Sequence, residues 1–227
     1  MKIDDTLAPA SGGTPIWSLE NLPGRLAEVA AAGVLGGVLM IMAWLGVRAD
    51  LATAVQTPVF WLKVGYAAFL AISAAAAVCR LARGRPRAVA PLVLAGVVVC
   101  GFLAFGVAQA FGAGPQTTMR PGEPSALGCV LSIVAMATPM LLFASYGLAS
   151  IYPERPRLVG VAGGLACGAV ADLVFGLHCP SATFAFIAPW HTAGMLTCGL
   201  AGVLLLGLFR RIGRLKRPHL EEVASED

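Results

Sequence analysis

Five side chains in the second half of the chain could do chemistry together: Cys129, Asp172, His178, Cys179 and His191. Two thiols can form or exchange a disulfide, or, helped by an imidazole, hold a soft metal ion. The separation of Cys129 from Cys179 is too long to be a motif, and the chain has no Cys-x-x-Cys. Both chemistries therefore stay open. Asp172 lies in an otherwise apolar run, where an ionisable group marks either a functional site or a hydrogen bond between helices. No phosphate-binding loop, dinucleotide fingerprint, nucleophile elbow or zinc-protease pair accompanies these residues.

The element that must position them is Gly160 to Trp190. Gly160, Gly164, Gly168, Asp172 and Gly176 recur at every fourth residue and form one stripe on a helix, a face that can approach a neighbour closely. Leu177-His178-Cys179-Pro180 ends that helix, because proline cannot continue it. The next helix has its own stripe in Trp190, Gly194, Cys198 and Gly202, so the last two helices are expected to pack tightly.

Composition fixes the setting. Of 227 residues, 58% are hydrophobic and 12% charged, about half the charged share of a soluble domain. Mean hydropathy is +0.80. Runs long enough to cross a bilayer lie near 26–46, 61–81, 88–111, 126–150, 157–177 and 187–209. The predicted fold is an all-α, polytopic bundle of six transmembrane helices (26–209), with a short N-terminal arm (1–25) and a basic, then acidic, tail (210–227). Thirteen of the 16 Lys and Arg residues fall on the side shared by both termini, with Arg80 to Arg87 the strongest topology signal. The positive-inside rule makes that side, and both termini, cytoplasmic. The net charge of +4 is then a topology signal and calls for no nucleic acid. The acidic, Pro/Gly-rich start lacks the basic region of a signal peptide, so the first helix is expected to be retained.

Position sorts the cysteines. Cys79 marks a cytoplasmic helix end, and Cys100, Cys167 and Cys198 read as small apolar fillers inside spans. Cys129 and Cys179 fall in the outer third of the bundle, which is oxidising in a bacterial inner membrane. Arg48, Asp50 and Lys63 read as a charged belt anchoring the outer surface, and Pro139 as a kink in the fourth span. The arm, with Asp4, Asp5, Leu7 and Trp17, reads as a disordered leader with one interfacial tryptophan, or as a segment that folds on a partner.

Gly46-x-Arg48-x-Asp50-Leu51, Pro58-x-Phe60-Trp61-x-Lys63, Cys129 opening the fourth span, Leu177-His178-Cys179 and Phe186 to Trp190 stand in an order that resembles the NrsF family. That resemblance implies a six-helix anti-sigma factor of the bacterial inner membrane, with no enzymatic activity and no resident cofactor. Its partner would be an extracytoplasmic-function sigma factor, released when a heavy metal or oxidant is sensed by a cysteine pair. Cys129 and Cys179 are the matching residues, with His178, Asp172 and His191 as candidate support, and a transient metal ion would be the signal. Asp4, Asp5 and Leu7 are the candidate sigma contact, although Pro9 and Ser11-Gly12-Gly13 interrupt the acidic-apolar helix with which family members often begin. Homo-oligomerisation is left open. A small membrane thiol oxidoreductase or metal transporter using the same cysteines is the alternative; against a transporter, the spans hold essentially one acid.

Overall fold

The computed structural model describes residues 16–113, 125–180 and 183–224, with side chains described as far as 214 in the last helix. Asp4, Asp5 and Leu7 lie outside the described residues. The described chain is helical. It runs α1 (Leu22–Met40), a π-helical turn (Ile41–Leu45), a short α2 (Leu51–Ala54), α3 (Pro58–Ala82), α4 (Ala90–Ala113), α5 (Ala126–Ser150), α6 (Pro156–Phe175) and α7 (Phe184–Ala224). All but α2 are long and apolar enough to cross a bilayer, six spans in all. The chain is a multi-pass membrane protein.

Local chemistry sets most of the boundaries. Pro23, Pro58 and Pro156 occupy first-turn positions of α1, α3 and α6, where the missing N–H costs no hydrogen bond. Thr57 and Ser125 cap α3 and α5, their hydroxyls accepting from the amides of Phe60 and Gly128. Gly46, at φ +80, stops the π-helical turn in a conformation that favours glycine. Two boundaries differ from expectation. With Pro23 in its first turn, α1 starts at Leu22 and takes in the ion-paired Arg25 and Glu28. The apolar part of α7 gives way to a basic segment without a break, because Arg, Leu, Lys and Glu continue a helix well.

The core is centred on α6, which packs against α1, α3, α5 and α7, while α4 stands outside against α3 and α7. The four-residue stripe explains that placement. A Cβ on Gly160 would stand 2.8 Å from Val203 Cα, and one on Gly168 would stand 2.8 Å from Cys198 Cβ. A side chain at Gly164 would meet the backbone of Cys198 and Gly199. The companion stripe on α7 divides: Gly202 and Cys198 face α6, but Gly194 meets Ile133 of α5, and Trp190 is 39% exposed. The reason is that α7 is shared between α5 and α6, so its small residues serve two seams.

At the arginine-rich end, Trp17 is buried, not interfacial. Its ring lies over Gly147, edge-on to Phe143, and its amide donates to Ser150 Oγ at 3.4 Å. Arg83 donates to Leu19 O at 2.9 Å. Inside α5, the Thr138 hydroxyl donates to Val134 O at 2.8 Å, beside Pro139, which has no amide hydrogen to offer.

Candidate functional site: a buried cysteine and histidine cluster

At the end opposite the arginine-rich loop, three helix termini converge. Cys129 is in the first turn of α5, its amide bonded to Ser125 O. Asp172 is in the last turn of α6. Beyond Gly176, the amides of Leu177, His178 and Cys179 fold back onto the carbonyls of Val174, Phe175 and Phe175. Pro180 then ends the turn, leaving the Cys179 side chain facing inward. Two turns into α7, His191 meets it from the other side.

Cys129, Cys179 and His191 are completely buried, and Asp172 nearly so. The two Sγ atoms and a His191 ring nitrogen lie within 4.8 Å of one another. Cys179 Sγ is 3.6 Å from His191 Nε2, and His191 Nδ1 donates to Asp172 Oδ1 at 2.5 Å. The Cys129 thiol hydrogen-bonds to Cys179; that bond, followed by the His191 contact and the Lys63 charge, holds the Cys179 thiol below the ordinary range despite its burial. Asp172 Oδ2 has no hydrogen-bond partner among the described residues.

The donors fit a thiophilic metal ion. With metal–sulfur and metal–nitrogen distances of about 2.3 and 2.05 Å, a tetrahedral angle separates the two donors by about 3.6 Å. The carboxylate behind the imidazole is the usual means of fixing ring orientation at a metal, and it leaves Nε2 free for the ion. The same atoms also suit thiol oxidation, since two hydrogen-bonded sulfurs need only short side-chain movements to meet.

Of the residues singled out in the sequence, the structure brings together Cys129, Cys179, His191 and Asp172. His178 is elsewhere: its Nδ1 donates to Gly46 O at 2.8 Å, and its ring tilts against Phe175. It belongs to a latch. Arg48 Nε and Nη2 donate to the two Asp50 oxygens at 2.8 Å, Nη1 donates to Cys179 O at 2.9 Å, and the Arg48 amide donates to Leu177 O at 3.0 Å. Those hydrogen bonds raise the guanidinium of Arg48 and lower the carboxyl of Asp50 from their ordinary values. The expected belt of Arg48, Asp50 and Lys63 is therefore a pair without its third member. Lys63 is buried, with Nζ 5.9 Å from the centroid of the Phe175 ring. Phe175 in turn lies beside His191. A buried contact between the Tyr66 hydroxyl and Thr192 Oγ1, 2.9 Å, completes the surroundings. Sequence reasoning missed Tyr66 and Thr192. Their signal was faint: a polar tip in an apolar helix needs a partner when buried.

The family described as NrsF, negative regulator of sigma F, matches residues 14–211. The chain belongs to the NrsF family. An anti-sigma-F factor NrsF from Caulobacter vibrioides (strain NA1000 / CB15N) is 34% identical over 211 residues, covering 89% of this chain and 95% of the relative. A probable anti-sigma-F factor NrsF from Azospira oryzae (strain ATCC BAA-33 / DSM 13638 / PS) is also 34% identical, covering 90% and 97%. No solved structure matches the chain. Membership of the NrsF family makes this a regulatory protein with an anti-sigma role, whose partner is a sigma factor.

Proposed function

We propose that this NrsF-family protein is an inner-membrane anti-sigma factor that holds an extracytoplasmic-function sigma factor and releases it when a heavy-metal ion or an oxidant reaches Cys129 and Cys179. One observation carries the reading: two thiols and an imidazole converge in a buried cluster, and an aspartate fixes the imidazole. The 13-to-3 distribution of basic residues supports an outward-facing cluster, with both termini and the sigma contact in the cytoplasm.

The connections around the cluster support a route inward. Cys129 and Cys179 belong to different segments, so a shared ion or a disulfide ties the start of α5 to the α6–α7 turn. The Arg48 latch ties that turn to the end of α1, whose other end lies next to the seated Trp17. Moving a two-state equilibrium from mostly holding to mostly released takes about 5.5 kcal/mol. One disulfide contributes about 2 to 4 kcal/mol, and two metal–thiolate bonds are of that order or larger.

The test replaces both cysteines in cells, Cys129→Ser with Cys179→Ser, and follows a sigma-dependent reporter with and without a thiophilic metal or hypochlorite. Repression should persist and induction should vanish. Normal induction of the double variant would overturn the proposal.

A further inference from the structure

Lys63, the last residue of the Pro58-x-Phe60-Trp61-x-Lys63 pattern, is a charged side chain buried beside the cluster with no role assigned so far. It is 5% exposed and stacks over Phe175, at the carbonyl end of α6, where the helix dipole favours a cation. A Cβ on Gly176 would stand 3.9 Å from Lys63 Cε, so the lysine is closely packed against the turn that carries Cys179. The Phe175 ring over which it lies is 5.7 Å, centroid to centroid, from the ring of His191, so the ammonium stands beside the cluster. A buried ammonium next to a site suited to cations requires an explanation.

Counting charge supplies one. At rest the two thiols and His191 are together neutral, wherever their protons sit. A divalent ion that displaces two protons, 2 RSH + M²⁺ → M(SR)₂ + 2 H⁺, leaves the site's charge unchanged. A monovalent ion held by both thiolates does not: 2 RSH + M⁺ → [M(SR)₂]⁻ + 2 H⁺ adds one negative charge in a buried interior, where an uncompensated charge is costly. Disulfide formation, like the divalent ion, adds none.

We propose that Lys63 is a specificity-determining residue of the cysteine cluster: its ammonium is the counter-charge of an anionic dithiolate complex and lets the site accept a soft monovalent cation. The inference rests on the metal-sensing reading above. Lys63 contributes to binding of a monovalent ion and is close to indifferent to a divalent one.

The experiment titrates full-length protein in lipid nanodiscs with silver(I) and, separately, cadmium(II) at one fixed pH, for the native chain, Lys63→Met, Lys63→Arg, and Cys129→Ser with Cys179→Ser. Lys63→Met should weaken silver binding at least about tenfold relative to cadmium, the scale of removing one charge at several ångströms in a partly screened interior. Lys63→Arg should restore the native ratio. Retained cadmium binding shows that the Met variant is folded. An unchanged silver-to-cadmium ratio, with native binding still dependent on the cysteines, overturns the role of Lys63 alone. Native binding of either metal that survives loss of both cysteines, or no binding at all, overturns the metal-site reading and this proposal with it.

Discussion

α6 and α1 are both apolar membrane-spanning helices, yet they are held in opposite ways. In α6, 72% of the residues in its apolar stretch are buried; in α1 the share is 17%. The glycines account for the difference. Gly160, Gly164 and Gly168 place the α6 backbone against α7 with no room for a methyl group, whereas Gly24 and Gly36 of α1 face open space. Without a hydrophobic drive inside a bilayer, such backbone proximity is what locks two helices together. α6 is thus a fixed rail that aims Asp172 and the Cys179 turn. α1 leans on the bundle through Gly33 and Gly37 against Met140 and Met136, and is tied at its far end by Arg48. The helix leading to the arginine-rich end is the loosely packed one, and the helix carrying Asp172 and the Cys179 turn is the closely packed one.

The comparison breaks first at the α6–α7 seam. Gly164→Leu should cost about 3 kcal/mol through overpacking against backbone, seen as a fall of about 6 to 12 °C in the melting temperature of the detergent-solubilised protein. Gly36→Leu on α1 should change stability by no more than about 0.5 kcal/mol. Equal effects at both positions would remove the distinction between the two helices. A more selective change is Asp172→Asn on the rigid helix. It keeps the shape but alters the hydrogen bond that fixes His191, so metal affinity should fall about 10- to 100-fold while the melting temperature changes little. Unaltered affinity would show that His191 is not a ligand.

The smallest expected effect is at the latch between the two helices. The Arg48 guanidinium holds the Asp50 carboxyl below its usual range. A carboxyl lowered in the folded state contributes stability above its unfolded pKa, and that contribution disappears only as pH falls through the folded value. The Arg48–Asp50 pair should therefore persist in NMR spectra of the side-chain guanidinium at about pH 3.9, where a free aspartate is half protonated. Separation of the pair at a higher pH would place α1 under weaker control than its geometry implies.

The spans were legible because apolar length is a local signal, and their number and approximate limits follow from it. The α6 stripe was legible for the same reason: a four-residue repeat of glycine has little other use in a membrane helix. The grouping of Cys129 with Cys179 rested on resemblance and on their shared depth, since no spacing rule joins residues of different helices. Lys63 and His178 were harder. Whether a lysine one turn into a helix snorkels to the surface or turns inward depends on the neighbouring helix, which for Lys63 is the end of α6 with Phe175. His178 and Cys179 are adjacent in sequence, but the tight turn after Gly176 sends their side chains to opposite sides. Trp17 followed the same logic, because the notch at Gly147 that receives it lies far along the chain.

The complete burial of Cys129, Cys179 and His191 also has a consequence in time. On the sensing reading proposed above, an ion or oxidant would reach these buried atoms only through a transient local opening of the helices around them, so arrival would be limited by the frequency of that opening and not by collision in the medium. Departure would pass through the same opening. On that reading, exposures shorter than the opening interval would leave the protein unaltered, and one long enough to load the cluster would outlast the stimulus, so transients would be filtered and sustained exposures remembered.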